Sequence, residues 1–150
     1  MSLRNRPLLA ALSILTACAH HAPRPEFLQN TARAGMNLPF SEAVRVGNLL
    51  FLSGQIGIDP DTRRLAPGGI GPETRQTLDN IKATLERHGS SLDHVVKCTV
   101  FLADINEWAA MNDVYTAYFP TDPPARSALG TSGLALGARV EIEAIAVTHP

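Results

Sequence analysis

Residues 139–147 read Arg139-Val140-Glu141-Ile142-Glu143-Ala144-Ile145-Ala146-Val147. The stretch holds neither Gly nor Pro and is rich in Val and Ile, whose branched side chains suit a pleated surface, so it reads as a strand. Alternation with period two sends Val140, Ile142 and Ala144 to one side and Glu141, Glu143 and Ile145 to the other. One face belongs to a core. The other carries two carboxylates and an apolar residue, and neighbouring segments must account for it.

Upstream, Val95-Val96-Lys97-Cys98-Thr99-Val100-Phe101-Leu102 is a second β-rich run, long and apolar enough for a central strand. Cys98 is placed on a face with Val96 and Val100 and is expected to be a small buried hydrophobe and not a nucleophile. Ala43 to Val46 and Leu49 to Ile56 flank Gly47-Asn48, two residues that tolerate positive φ, so they predict a hairpin. Ala125-Arg126-Ser127-Ala128-Leu129 is a further extended segment.

Two helices separate these strands. The first is expected to start at Pro72-Glu73, with Thr74, Leu78, Ile81 and Leu85 on one face and Gly89 as its stop. Asp104 and Glu107 have capping-box spacing and open the second. Its apolar stripe is Trp108, Met111, Tyr115 and Tyr118, and Pro120 bounds its end. The order is β-β-α-β-α-β-β, which predicts an α+β domain whose mixed sheet carries both helices on one face. About 110 residues with two helices cannot cover both sides of such a sheet. Phe51, Val95 and Phe101 are therefore expected on a wet face, and self-association is the simplest cover.

Composition limits what this domain can do. The 150 residues carry 13 Lys and Arg against 14 Asp and Glu, which lacks the basic excess of a phosphate-binding protein. Two cysteines cannot build a disulfide framework or a structural zinc site.

The N-terminus has a separate character. Arg4 and Arg6 precede the apolar run Leu8 to Leu15, too short to span a bilayer but of the form of a secretory leader. Leu15-Thr16-Ala17-Cys18 resembles the lipobox of bacterial lipoproteins, in which the cysteine thiol takes a diacylglycerol by thioether and becomes the first mature residue. The expectation is a signal peptide at 1–17, a lipidated Cys18 and flexible tether over 18–37, and a folded domain over 38–150. The alternative is ordinary secretion, with Cys18 incidental. Because Ala19 and not Asp follows the cysteine, a periplasmic lipoprotein on the outer membrane is expected, against a secreted or soluble periplasmic form. Loss of both leader arginines leaves 11 basic residues against 14 acidic ones, a charge of −3.

Few residues could carry chemistry. No Ser/His/Asp order, His-x-x-x-His or phosphate loop stands out, and His88, His94 and His149 are isolated in sequence. Arg126 lies on a strand between apolar residues, so its guanidinium is either in a structural ion pair or a clamp for a carboxylate. Glu141 is either paired with an arginine or held as a general base. Asn112, on or beside the buried helix face, is either a loop-securing residue or a ligand contact.

These segments resemble the Rid (reactive intermediate deaminase) family, also called the endoribonuclease L-PSP family. The likeness runs from Val46-Gly47-Asn48 and Phe51-Leu52-Ser53-Gly54-Gln55-Ile56 through Gln76-Thr77-Leu78-Asp79-Asn80-Ile81 and Val96 to Leu102. It continues over Met111-Asn112, Tyr115, Phe119-Pro120 and Pro124-Ala125-Arg126-Ser127 to Val140–Val147, about residues 38–148 in all. The resemblance implies a chorismate-mutase-like α+β fold and a homotrimer whose sheets form an internal barrel with three clefts between subunits. It implies hydrolysis of 2-imino acids or enamines, such as 2-iminopropanoate or 2-iminobutanoate, to 2-keto acids and ammonia, with no metal or organic cofactor. Arg126 would grip the substrate carboxylate and Glu141 orient the attacking water, with Ser53 and Asn112 lining or supporting the cleft. Two positions depart from the family pattern. Phe40 stands where many members have a tyrosine, and Ala128 where many have a cysteine, so the substrate-binding surface loses a hydroxyl and a thiol. The alternative function is a non-catalytic trimer of this fold that binds a small carboxylate or acts as a chaperone-like surface. A ribonuclease ranks behind both, because the acidic mature chain has no basic stripe for an RNA groove.

Overall fold

The structure, a computed structural model, describes residues 22–30 and 38–149. The leader, Cys18 and part of the expected tether lie outside the described residues. The strands are β1 (Glu26–Leu28), β2 (Ala43–Val46), β3 (Leu49–Leu52), β4 (Gln55–Ile56), β5 (Val95–Leu102), β6 (Ala125–Gly130) and β7 (Val140–Val147). The helices are α1 (Ile70–Arg87), between β4 and β5, and α2 (Trp108–Tyr118), between β5 and β6. One sheet holds all the strands in the order β1-β2-β3-β7-β5-β6, with β4 also paired to β7. Only β5 and β6 run parallel, and α2 makes the crossover between them. The α+β class and the strand-helix order therefore stand, with two short strands added.

Both additions have a physical reason. The segment 18–37 was expected to be a tether, yet Glu26–Leu28 pairs antiparallel with β2. The strand is held by the Arg45–Glu26 ion pair and by the Glu42 amide donating to the Leu28 carbonyl at 3.0 Å. Three residues are too few to show a period in sequence. The expected continuous strand Leu49 to Ile56 is broken at Ser53-Gly54. Phe51 pairs with Ile145 and Gln55 with Ile142, so the upstream chain carries one extra residue there, a bulge.

The helices pack as the periodicity predicts, except that Trp108 of the expected α2 stripe stays 45 % exposed. Thr74, Thr77, Leu78, Ile81 and Leu85 of α1 are buried, and Met111 and Tyr115 of α2 join the same core. α1 starts at Ile70, two residues earlier than expected, because Gly69 at φ 93° turns the chain directly into the first turn. Gly89, at φ 78°, ends it as expected. Asp104 and Glu107 do not form the expected capping box. Asp104 caps a short turn at Ile105–Glu107 by accepting from the Asn106 amide at 2.9 Å. The Glu107 carboxylate turns instead to the Arg139 guanidinium.

The sheet separates the protomer into a covered and a bare side. Leu50, Leu52, Cys98, Val100, Leu102, Val140, Ile142, Ala144 and Ala146 face the helices and are buried. Phe27, Leu49, Phe51 and Val96 lie on the other side and are 70, 37, 39 and 46 % exposed. Phe51 was expected there, but Val95 was not placed correctly: it is buried, and Val96 is exposed in its stead. A register irregularity between Val95 and Lys97 switches the parity of β5. For the same reason Cys98 shares its face with Val100 and not with Val96.

Among the described histidines, His88 is not exposed but buried against Glu42, its Nε2 3.0 Å from the carboxylate. Burial pushes the Glu42 carboxyl up, but His88, Arg87 and Asn30 outweigh it and hold it below the usual carboxylate range. This cluster joins the start of β2 to the end of α1.

Candidate active site

Two groups of residues stand out, and the sheet lies between them. The first gathers at β6 and α2. In the parallel pairing Arg126 sits opposite Cys98 and Ala128 opposite Val100, so both point to the helix side. There the Arg126 guanidinium lies over the Tyr115 ring at 4.5 Å from its centroid and 5.8 Å from that of Trp108. The two aromatic faces attract the cation while leaving its planar N–H fork unspent. No carboxylate pairs with Arg126 among the described residues. Asn112 lies between Trp108 and Tyr115 on the same helical stripe, and its Oδ1 is buried without a hydrogen-bond partner among the described residues. The open amide oxygen calls for a donor, and the unpaired guanidinium calls for an anion.

Tyr115 also reports how closed the floor of this group is. Burial pushes the phenol far above its usual value and likewise pushes the Cys98 thiol up, and the Tyr115 hydroxyl has no hydrogen-bond partner among the described residues. Neither group ionises near neutrality. Cys98 is filler, as its apolar setting predicts, and Tyr115 is a platform for the guanidinium.

The second group gathers at the bulge. Glu141 pairs with Ile56 and Phe101 and so points to the bare side. Its carboxylate reaches back to Gly54, where a Cβ would collide with Oε1. A side chain at position 54 would push the Glu141 carboxylate aside, so the glycine leaves it room to approach the bulge. Glu141 accepts no hydrogen bond from a described residue and has no arginine partner. Burial first, then the neighbouring charge of Glu143, raises its carboxyl above the usual glutamate value. Ser53 Oγ donates to the Ser41 carbonyl at 2.7 Å, and its amide donates to the Glu42 carbonyl at 3.1 Å, which ties the bulge to the strand-entry segment. Phe40, directly before Ser41, is 52 % exposed.

The sequence-derived residues therefore form two half-sites. Arg126, Ala128 and Asn112 converge, and Ser53, Glu141 and the segment bearing Phe40 converge elsewhere. Arg126 and Glu141 are three residues along β5 and two strands apart, on the order of 14 Å between backbones, and on opposite faces. Within one protomer they cannot hold the same small molecule. Three contributors escaped the sequence reading as site residues: Gly54, Trp108 and Tyr115. Gly54 interrupts an apolar strand, which is itself a signal of close approach. Trp108 and Tyr115 were assigned to the core stripe, where nothing in the spacing distinguishes a platform for a cation from core packing.

Comparison with known proteins identifies the family and the fold. The family model described as Endoribonuclease L-PSP matches residues 31–148. A 2-iminobutanoate/2-iminopropanoate deaminase from Capra hircus is 48 % identical over 122 residues, 81 % of this chain and 89 % of that protein. The Homo sapiens protein of the same name is 43 % identical with the same coverage of both chains. Among solved structures, a Rid-family protein of unknown function from Yersinia pestis superposes with a TM-score of 0.76 at 40 % identity, covering 83 % of this chain and all of that one. The Escherichia coli protein TdcF, crystallised with bound serine, has a TM-score of 0.75 at 34 % identity with the same coverage.

Proposed function

The chain belongs to the endoribonuclease L-PSP, or Rid, family, and from that membership we propose that it hydrolyses 2-imino acids, or the enamines in equilibrium with them, to 2-keto acids and ammonia. The observation that carries this reading is Arg126: a guanidinium seated on aromatic rings with no carboxylate of its own among the described residues. Bidentate pairing with a substrate carboxylate would satisfy it. The site would be complete only between copies, with Arg126, Asn112 and Ala128 from one protomer and Phe40, Ser53 and Glu141 from the next. A homotrimer supplies such contacts in closed form, each interface heterologous and each repeated around the axis.

An imine carbon is already electrophilic, so the protein has to position water and move protons. Glu141 takes a proton from water as the water oxygen bonds to the imine carbon. That proton passes to nitrogen and gives a carbinolamine; Glu141 then takes the hydroxyl proton and delivers it to the amine, the C–N bond breaks as the carbonyl forms, and ammonia leaves. Such acid–base assistance is worth about 10²–10⁴-fold. A carboxyl raised toward neutrality suits it, because it can both accept and return the proton. This is what favours an enzyme over a simple carboxylate binder, for which Arg126 alone would serve.

The test is ammonia release from freshly generated 2-iminopropanoate by the wild type, Arg126→Ala and Glu141→Ala. Both variants should fall toward the uncatalysed rate. Equal rates in all three proteins would reject the deaminase.

We also propose a periplasmic location through lipid at Cys18, supported by the leader and lipobox of the sequence. Among the described residues no helix is long and apolar enough to cross a membrane, so any attachment by this part of the chain would need another means. Membrane fractionation of Cys18→Ser checks it, and an unchanged distribution would reject the anchor.

A further inference from the structure

Trp108 is the one member of its helix stripe that the core does not absorb. Met111 and Tyr115 are buried, and Tyr118 turns its hydroxyl to Asp79 at 2.7 Å. Trp108 remains 45 % exposed, with its ring centroid 5.8 Å from the Arg126 guanidinium. Part of its ring holds the cation's surroundings and part faces outward. A carboxylate gripped by Arg126 would bring its own α-carbon within a few bond lengths of the guanidinium, and the side chain on that carbon would reach the exposed indole. The rest of the surroundings is apolar as well: Ala128 is half-buried beside Arg126, and Ile105, three residues before Trp108, is 48 % exposed.

We propose that Trp108 is the specificity-determining residue of this site and that it selects 2-imino acids with bulky apolar or aromatic side chains over the two- and three-carbon forms. The proposal rests on the deaminase reading for the reaction and on Arg126 for the orientation of the substrate. Its physical basis is that a large apolar side chain gains burial and ring contact against the indole, whereas a methyl group gains neither.

The chain contains a single tryptophan, so its fluorescence reports this half-site directly. Calorimetric titration of the full-length protein with pyruvate, 4-methyl-2-oxopentanoate and phenylpyruvate measures the preference without requiring turnover. The bulky acids are expected to bind more than about tenfold tighter than pyruvate, the scale on which hydrophobic pockets discriminate. That ratio should shrink through Trp108→Phe and Trp108→Leu and vanish in Trp108→Ala. Because the ratio is taken within each protein, a partly unfolded variant does not distort it. Binding of 4-methyl-2-oxopentanoate should also change the Trp108 emission of the wild type. Equal affinities in the wild type, a ratio that survives Trp108→Ala, or binding without a change in emission would each overturn the proposal. Hydrolysis of imines generated from alanine, leucine and phenylalanine, run alongside, tests the reaction separately. A wild type that selects bulky keto acids but turns over no imine would sink the deaminase and leave the selectivity of Trp108 standing.

Discussion

On one side of the sheet the chain closes over itself; on the other it stops. The helix-covered side buries Leu50, Val100, Leu102, Val140 and Ile142 completely, while the bare side leaves Phe27, Phe51 and Val96 in water. The two proposed catalytic groups divide the same way, Arg126 on the covered side and Glu141 on the bare one. The covered side is a property of one protomer, whereas chemistry that joins the two sides has to be a property of an assembly. The strongest way to break that comparison is to place the two lesions in different chains. Glu141→Ala should lose about 10²–10⁴-fold as an acid–base group, and Arg126→Ala about 10- to 150-fold, the roughly 1.5–3 kcal/mol of a hydrogen bond to a charged group. Co-refolded in equal amounts, two inactive proteins would restore about a quarter of wild-type activity, because one site in four of a randomly mixed cyclic trimer receives both intact residues. No recovery on mixing would mean that each site is built within a single chain.

The second contrast pairs adjacent residues of β3. Leu50 is fully buried and Phe51 is 39 % exposed, one on each side. Leu50→Ala should destabilise each protomer by about 2–5 kcal/mol, the ordinary cost of a cavity in a packed core. Phe51→Asp should leave the secondary structure of the protomer intact by circular dichroism but abolish association in analytical ultracentrifugation, since an assembled sheet face would bury an unpaired charge. Activity should disappear with association. A Phe51→Asp protein that remained associated and active would show that the bare side is not the contact.

Much of this division was legible in the sequence. The alternation of Val140–Val147 separates the two faces correctly, and the stripes of both helices predict what covers one of them. The errors fall where periodicity is interrupted. The shift at Val95–Lys97 exchanges Val95 for Val96, and the bulge at Ser53-Gly54 divides one expected strand into two. A period has no means of announcing its own phase change. β1 escaped because three residues carry no period at all, and it is held by contacts to Arg45 and Glu42 that are distant in sequence. The proposed site residues Arg126 and Glu141 were recognisable as a cation and an acid out of keeping with their strands. That they point to opposite sides follows only from the register of β5 with both neighbours.

Gly54 sharpens the bare half-site alone. In Gly54→Ala the new methyl would occupy the place of the Glu141 carboxylate, and this group would have to swing away. Displacement of a reacting group by about 1 Å costs on the order of 10²-fold. The loss is expected in kcat, with KM for the carboxylate substrate nearly unchanged, because Arg126 belongs to the other half-site. Equal loss in both constants would place Gly54 in substrate binding.

The smallest effect concerns the charge that Glu143 adds beside Glu141. Burial and this neighbour both disfavour the ionised carboxyl, so Glu141 titrates above the usual glutamate value. A general base must be ionised, and activity therefore falls as pH is lowered through that raised value. Glu143→Gln removes one of the two causes and leaves burial in place. The acid limb of kcat/KM should move to lower pH without reaching the position of an exposed glutamate. Stability changes in the matching sense. A carboxyl whose folded value is raised favours the native state below its unfolded value and loses that contribution as pH rises through the folded one. Relieving the shift should make Glu143→Gln slightly more stable than wild type at neutral pH and indistinguishable from it in acid. Had Glu141 been on the covered side, Glu143 would still be its neighbour two residues along the strand, but core packing and not solvent would separate the limb from its ordinary place. An acid limb unmoved by Glu143→Gln would therefore assign the titration to a group other than Glu141.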